Sequence, residues 1–352
     1  MTNLSRCLIY GAYGYTGDLI ARRAAAGGAL PILAGRSASK VAALAEELGL
    51  PHRAFGLDDP PALDRGLADV DVVIHAAGPF SRTSEPMVDA CLRTGTHYLD
   101  ITGEIDVFEA CAARGGEAER AGVMLMPGTG FDVVPSDCLA NHLKRRLPEA
   151  THLVLAFTSV GGKTSHGTAT TMVESLGRPN RVRRDGALTD VRLGELRREV
   201  DFGRGPVPTL SIPWGDVSTA YASTGIPNIE VYTAVPRSAQ VGARVAGYLG
   251  GLLGSAPVRR RLQRRVDAGP AGPTDAQRAR AFSLLWGEAR EGTTKAQARL
   301  RCPEGYTLTA IASLAIAERV LEGDFAAGYR TPAMMYGADF ILELEGTERT
   351  DL

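Results

Sequence analysis

The chain has 352 residues, 39 Lys and Arg against 40 Asp and Glu, a formal net charge of -1 and 44% hydrophobic residues. That balance gives no overall attraction for nucleic acid or an anionic membrane, so neither is expected as a partner; the length exceeds what one small core organises, so two domains are expected. The five cysteines, Cys7, Cys91, Cys111, Cys138 and Cys302, form no C-x-x-C pair, which suits buried thiols in a reducing cytoplasm and argues against a disulfide framework or a metal site. Met1 to Ser5 lacks the apolar core of a signal peptide, and the greasy stretch Val241 to Leu253 is glycine-interrupted and too short to span a bilayer.

The first element is a short apolar strand around Leu8 to Tyr10 that runs into Gly11-Ala12-Tyr13-Gly14-Tyr15-Thr16-Gly17 and then an Ala-rich helical pattern from Asp18 to Ala26. Glycines at this spacing allow a tight strand-to-helix turn and the close approach of backbone N–H groups to a pyrophosphate, which then lies on the positive end of the helix dipole. The second strand, Leu30 to Ala34, ends in Gly35-Arg36-Ser37-Ala38-Ser39-Lys40 with no acid. An NAD site places Asp or Glu about 20 residues past the glycines on the ribose 2′-OH, whereas Arg there pairs a 2′-phosphate, so Arg36 predicts NADP(H). Ser37 and Lys40 can add donors to the same phosphate, and Ser39 can equally be an N-cap for a helix from Lys40 to Leu48.

Strands and helices keep alternating to about residue 130, as a doubly wound parallel sheet requires. After a strand over His52 to Phe55, Asp58 either touches the adenine end of the cofactor or caps the helix from Pro60 to Leu67. A buried strand from Asp71 to Phe80 carries Ala77, Gly78 and Pro79 near its end, where small residues leave room for a ribose or nicotinamide. A helix from Glu85 to Arg93, a strand around Tyr98 to Asp100, a helix from Ile105 to Ala121 and a strand over Val123 to Met126 complete six strands.

Beyond Gly130 the rhythm changes. Thr151 to Val160 reads as a strand, and Gly161 to Thr171 opens a helix with glycines and hydroxyls. Ser165, His166 and Thr168 there form either a second polar cradle or an ordinary capped helix start. The arginines at 178, 181, 183 and 184 read as one loop, a solvated face or a dock for carboxylates. Thr209 to Trp214, Ile229 to Ala234, Ala281 to Arg290 and Thr294 to Arg301 read as strands of a mixed or antiparallel sheet, the last two joined by a hairpin at Glu291-Gly292-Thr293. Gln240 to Arg264 and Thr307 to Leu321 read as apolar helices.

Taken together, Gly11 to Gly17, Ala34-Gly35-Arg36, His75 to Phe80, His97 to Glu104, Gly130-Phe131-Asp132, Pro135-Ser136-Asp137, Pro213 to Asp216, Gly305-Tyr306 with Thr309, and Thr331-Pro332-Ala333 give a chain that resembles saccharopine dehydrogenase-like NADP oxidoreductases, in the branch grouped with trans-acting enoyl reductases. The resemblance implies an α/β Rossmann domain with a doubly wound parallel sheet over residues 1–131, an α+β substrate and dimerisation domain with a mixed sheet over 132–328, and a tail, 329–352, packing back on the first domain. It also implies a nicotinamide between the domains and hydride transfer to or from a C=C or C=N bond, which demands close contact, water exclusion and a proton donor. Candidate catalytic residues are Lys163, His166, Tyr221 and Asp132, with Tyr98, Asp100 and Glu104 in neighbouring motifs. No Tyr-x-x-x-Lys pair occurs, which argues against a short-chain dehydrogenase mechanism. Three functions follow: an NADPH-dependent reductase of an enoyl or conjugated C=C bond on a small or acyl substrate, an imine reductase or secondary-amine dehydrogenase on an amino-acid-like substrate, and a non-catalytic NADPH sensor. A cytoplasmic homodimer is the expected form.

Overall fold

Four of the first strands are buried at every position, and such continuous burial belongs to a parallel sheet covered on both faces. The structure, a computed structural model, describes residues 4–248 and 255–352. The chain divides into two units, the first made of residues 1–134 and 306–335, the second of 135–305 and 336–352.

In the first unit the chain runs β1 (Cys7–Tyr10), α1 (Tyr15–Ala26), β2 (Ile32–Gly35), α2 (Ala38–Leu48), β3 (His52–Ala54), α3 (Pro60–Gly66), β4 (Val72–His75), α4 (Phe80–Thr94), β5 (His97–Asp100), α5 (Ile105–Ala113), α6 (Gly115–Ala121) and β6 (Met124–Met126). With a late strand, β15 (Gly328–Tyr329), these pair entirely in parallel in the order β15-β6-β5-β4-β1-β2-β3. The order reverses between β1 and β4, the switch point where such sheets open a crevice. Leu8, Val73, Tyr98 and Leu125 share its core, and each fully buried large side chain contributes about 1.5–3 kcal/mol. The helix expected over Ile105 to Ala121 is two helices that meet at Arg114.

The second unit begins with α7 (Val134–Arg146), whose first residue still belongs to the first unit, and continues through β7 (His152–Val160), α8 (His166–Glu174), β8 (Asn180–Arg184), β9 (Ala187–Val191), β10 (Arg197–Asp201), β11 (Pro206–Ser211), α9 (Asp216–Thr224), β12 (Asn228–Ala234), α10 (Arg237–Tyr248), α11 (Ala256–Asp267), α12 (Asp275–Arg280), β13 (Phe282–Glu291) and β14 (Thr294–Pro303). There follow α13 (Gly305–Leu321), which from Tyr306 belongs to the first unit, α14 (Pro332–Tyr336), α15 (Phe340–Glu343) and β16 (Glu348–Asp351). The second sheet runs β10-β11-β12-β7-β13-β14-β16, with β8 and β9 branching from β12; β12 and β7 are parallel and the other pairs antiparallel. Gly287 of β13 is where α7 seats: a Cβ there would lie 2.6 Å from a methyl of Leu143. Val200, Phe202, Tyr232 and Trp286 form a separate apolar cluster in the same unit.

Three expectations change. The arginines at 181, 183 and 184 lie on strand β8, because pairing with β9 and β12 gives that polar segment its partners. The tail expected on the first domain splits: β15 joins the first sheet, but β16 pairs with β14 in the second, where Asp351 meets His142 at 2.6 Å and Arg146 at 2.9 Å. The long apolar helix over Gln240 to Arg264 is represented by α10 and α11, and residues 249–254 of it lie outside the described residues. Val241, Val245 and Tyr248 on α10 are exposed. No helix among the described residues is long and apolar enough to cross a membrane.

Candidate functional site

Gly11, at φ +82°, turns the chain out of β1, and its amide donates to Ala34 O at 2.8 Å. A Cβ at Gly11 would stand 2.8 Å from Ala77 Cβ, so the loops after β1 and β4 touch at the switch point. Gly17 is tighter still, since a Cβ there would sit 2.3 Å from Gly11 O. The helix that follows starts at Gly14 without any side chain capping it. A glycine-capped helix start after the first strand of a parallel sheet is the arrangement that holds a pyrophosphate.

Tyr13 ties this turn to the end of β2. Its ring lies against Gly35, where a Cβ would be 2.6 Å away, its hydroxyl accepts from Ser37 N at 3.3 Å, and Lys40 Nζ stands 5.7 Å from the ring centre. Arg36 is exposed and has no paired carboxylate among the described residues. Burial pushes the Tyr10 phenol up to about 12, with Tyr13, Arg36 and Asp58 all close enough to act on it electrostatically. Tyr13, Arg36, Ser37, Lys40 and Asp58 are thus gathered at one edge of the sheet. Ser37, one position before α2, takes the N-cap place foreseen for Ser39, though its side chain makes no capping bond. The cap of α3 is Asp59, which accepts from Ala62 N at 3.1 Å, leaving Asp58 exposed and free of that duty.

The strand expected to reach Phe80 stops at His75, because α4 begins at Phe80, where Glu104 accepts from the amides of Phe80 and Ser81 at 2.9 and 3.0 Å. Behind this loop the Thr83 hydroxyl donates to Ala77 O at 2.7 Å, so the His75 Nε2, 3.0 Å from Thr83 Oγ1, is the donor of their bond. His75 is fully buried and burial lowers its pKa to about 3; it is neutral at any ordinary pH. Glu104 and Thr83 together aim Ala77, Gly78 and Pro79, and sequence alone did not mark Thr83. Tyr306 was noted only as part of a motif, yet its ring packs edge-on against Tyr15 at 5.1 Å.

Asp100 is structural: its carboxylate accepts from Tyr98 OH at 2.6 Å, Thr102 N at 2.9 Å and Gly128 N at 2.8 Å, and burial lifts its pKa to about 6. Asp132 differs. Burial raises its carboxyl to about 7, and Gly103 approaches so closely that a Cβ there would be 2.7 Å from Asp132 Oδ2. Among the other catalytic candidates, Lys163 is exposed on the loop after β7, while His166 Nε2 lies 3.7 Å from Asp267 Oδ1. Tyr221 lies on α9 beneath the Arg183 guanidinium, 4.2 Å from its ring centre. The contacts of His166 and Tyr221 fall in different neighbourhoods of the second unit. The proposed second cradle is a capped helix start: Ser165 Oγ accepts from Thr168 N at 3.3 Å. The β8 arginines are also committed, with Arg183 donating to Val217 O at 2.6 Å and Gly186 O at 2.8 Å, Arg184 bonded to Glu230, and Arg181 3.4 Å from Asp190.

Residues 7–126 match the family model described as saccharopine dehydrogenase NADP binding domain. Trans-acting enoyl reductases of Mycobacterium ulcerans (strain Agy99) and Mycobacterium tuberculosis (strain ATCC 25618 / H37Rv) are 32% and 33% identical over 156 and 157 residues, 40% of this chain in both cases. The match spans 36% of each relative's length. Among solved structures, the apo saccharopine dehydrogenase (L-Glu forming) of Saccharomyces cerevisiae superposes with a TM-score of 0.65 at 13% identity over 100% of both chains, a likeness of fold.

Proposed function

We propose that this chain, whose residues 7–126 belong to the saccharopine dehydrogenase NADP-binding-domain family and whose cofactor is NADP(H), is an NADPH-dependent reductase of a polarised C=C bond in an enoyl or related conjugated substrate. The observation that carries the reading is the glycine-capped start of α1 after β1 together with Arg36 just past the end of β2, which fits a dinucleotide with a 2′-phosphate. Gly11, Gly14 and Gly17, with the first amides of α1 at Tyr15 and Thr16, would hold the pyrophosphate. Arg36, Ser37 and Lys40 would hold the adenosine phosphate, Asp58 the adenine end, and Ala77, Gly78 and Pro79 would leave room for the nicotinamide ribose. When bound, NADPH supplies the hydride.

The chain itself must supply the proton and orient the acceptor. Asp132 carries a carboxyl raised to about 7, so near neutrality a large share of it is protonated and able to donate. Reduction of C=C rather than C=N is favoured by the likeness to the mycobacterial trans-acting enoyl reductases. It is favoured also by the three β8 arginines, all of which are already bound within the second unit and so are not free to receive an amino acid's carboxylates. The test has two parts. NADPH should bind about 10- to 100-fold more tightly than NADH, and Arg36→Ala should erase most of that gap, as expected for loss of a charge-assisted phosphate contact; equal affinities in the unsubstituted protein would remove the phosphate argument. NADPH oxidation should then respond to enoyl thioesters, and a response to cyclic imines alone would overturn the choice of acceptor.

A further inference from the structure

The second sheet carries a cavity of about 400 Å³ whose lining includes His152, Arg198, Glu230, Glu288, Arg290 and Lys295. Its side chains come from neighbouring strands in register. Lys295 of β14 is paired with Arg290 of β13, and Arg290 in turn with His152 of β7. One step deeper, Gln297 is paired with Glu288, Glu288 with Val154, and Val154 with Glu230. Residues paired this way share a face, so an outer rung of basic side chains lies above an inner rung that holds two acids.

The acids already have partners. Glu230 is bonded to Arg184 and to the Tyr232 hydroxyl. Glu288 is about nine-tenths buried and takes Gln297 Nε2, Arg198 at 3.4 Å and, more loosely, Lys295 Nζ at 3.7 Å. Arg198 comes from β10, which three strands separate from β13 in the sheet order, and still reaches Glu288; it also lies 5.2 Å from the Trp286 ring centre. A buried carboxylate requires such company. Arg290 of the outer rung is not needed for that purpose: it has no carboxylate partner among the described residues, and it stands directly opposite a second cation, Lys295, in an antiparallel ladder, which is unfavourable. An incoming anion would relieve the repulsion.

We infer that this edge of the second sheet is a binding site for a small molecule carrying two or more anionic oxygens, a phosphate or a dicarboxylate, held by Arg290 and Lys295 and backed by Arg198 and His152. The inference is independent of the acceptor and of the cofactor. It is tested by calorimetric titration of inorganic phosphate and of succinate, at matched ionic strength, into Arg36→Ala protein, a background in which the adenosine phosphate site does not compete. At least one of the two should bind with a dissociation constant on the order of 1 mM, and adding Arg290→Ser with Lys295→Ser should weaken it by about tenfold or more. Both substituted positions are exposed, and an unchanged circular dichroism spectrum and melting temperature establish that the fold persists. Binding of phosphate alone would assign a phosphate-bearing ligand, and binding of succinate would assign a dicarboxylate. Absence of heat with both, or heat that survives the double substitution, overturns the site.

Discussion

At Gly14 and at Ser165 a strand gives way to a helix through a glycine-rich turn bearing hydroxyl side chains, and the two turns differ in what meets the first amides of the helix. Before α1 the capping place is held by glycine, which has no side chain with which to cap the helix. Before α8 it is held by Ser165, whose own hydroxyl accepts from Thr168 N. A third start, that of α4, is closed from a distance by Glu104. An anion site at a helix start thus depends less on glycine content than on whether the chain has supplied its own acceptor.

The largest effect should come from closing the open start. Gly17→Ala places a methyl 2.3 Å from a backbone oxygen that has no freedom to retreat, and NADPH affinity should fall by about 100-fold or more, read by fluorescence titration alongside circular dichroism; undiminished binding would break the comparison. Next in size is the proton donor. With Asp132 protonated below about 7 and ionised above, reductase turnover should decline as pH rises through that value. Asp132→Asn should lower the rate and flatten the profile there while the affinity for NADPH stays within about twofold. Glu104→Ala uncovers the amides of Phe80 and Ser81 and should cost about 1–2 kcal/mol in denaturant unfolding. Ser165→Ala should cost about 1 kcal/mol and leave NADPH binding untouched, since the hydroxyl caps its own helix at Thr168 N; a loss of cofactor affinity would reopen the second cradle.

Local signals carried the first unit far. The glycine turn, the absence of an acid after β2 and the small residues beyond β4 are each contained in a few consecutive residues, and the structure brings Ser37 and Lys40 to Tyr13, and Arg36 and Asp58 within electrostatic reach of Tyr10. What sequence could not show depends on partners far away along the chain. Glu104 decides where α4 begins from a position 24 residues beyond Phe80. Strands β8 and β16 are rich in charge and have no apolar alternation, so only their ladders with β9, β12 and β14 make them strands. The arginines of β8 look solvated in sequence for the same reason, and Arg183 is 5% exposed because Tyr221 and two carbonyl groups enclose it.

Both sheets end in strands drawn from one late stretch of chain, β15 at the border of the first and β16 at the border of the second. During synthesis, then, β6 and β14 wait with bare hydrogen-bonding margins until the ribosome has delivered residues 328 and 351 respectively. Bare margins invite pairing with foreign strands. The nascent polypeptide is therefore exposed to misassembly until those two strands have emerged, and holding it apart from its neighbours matters most in that interval.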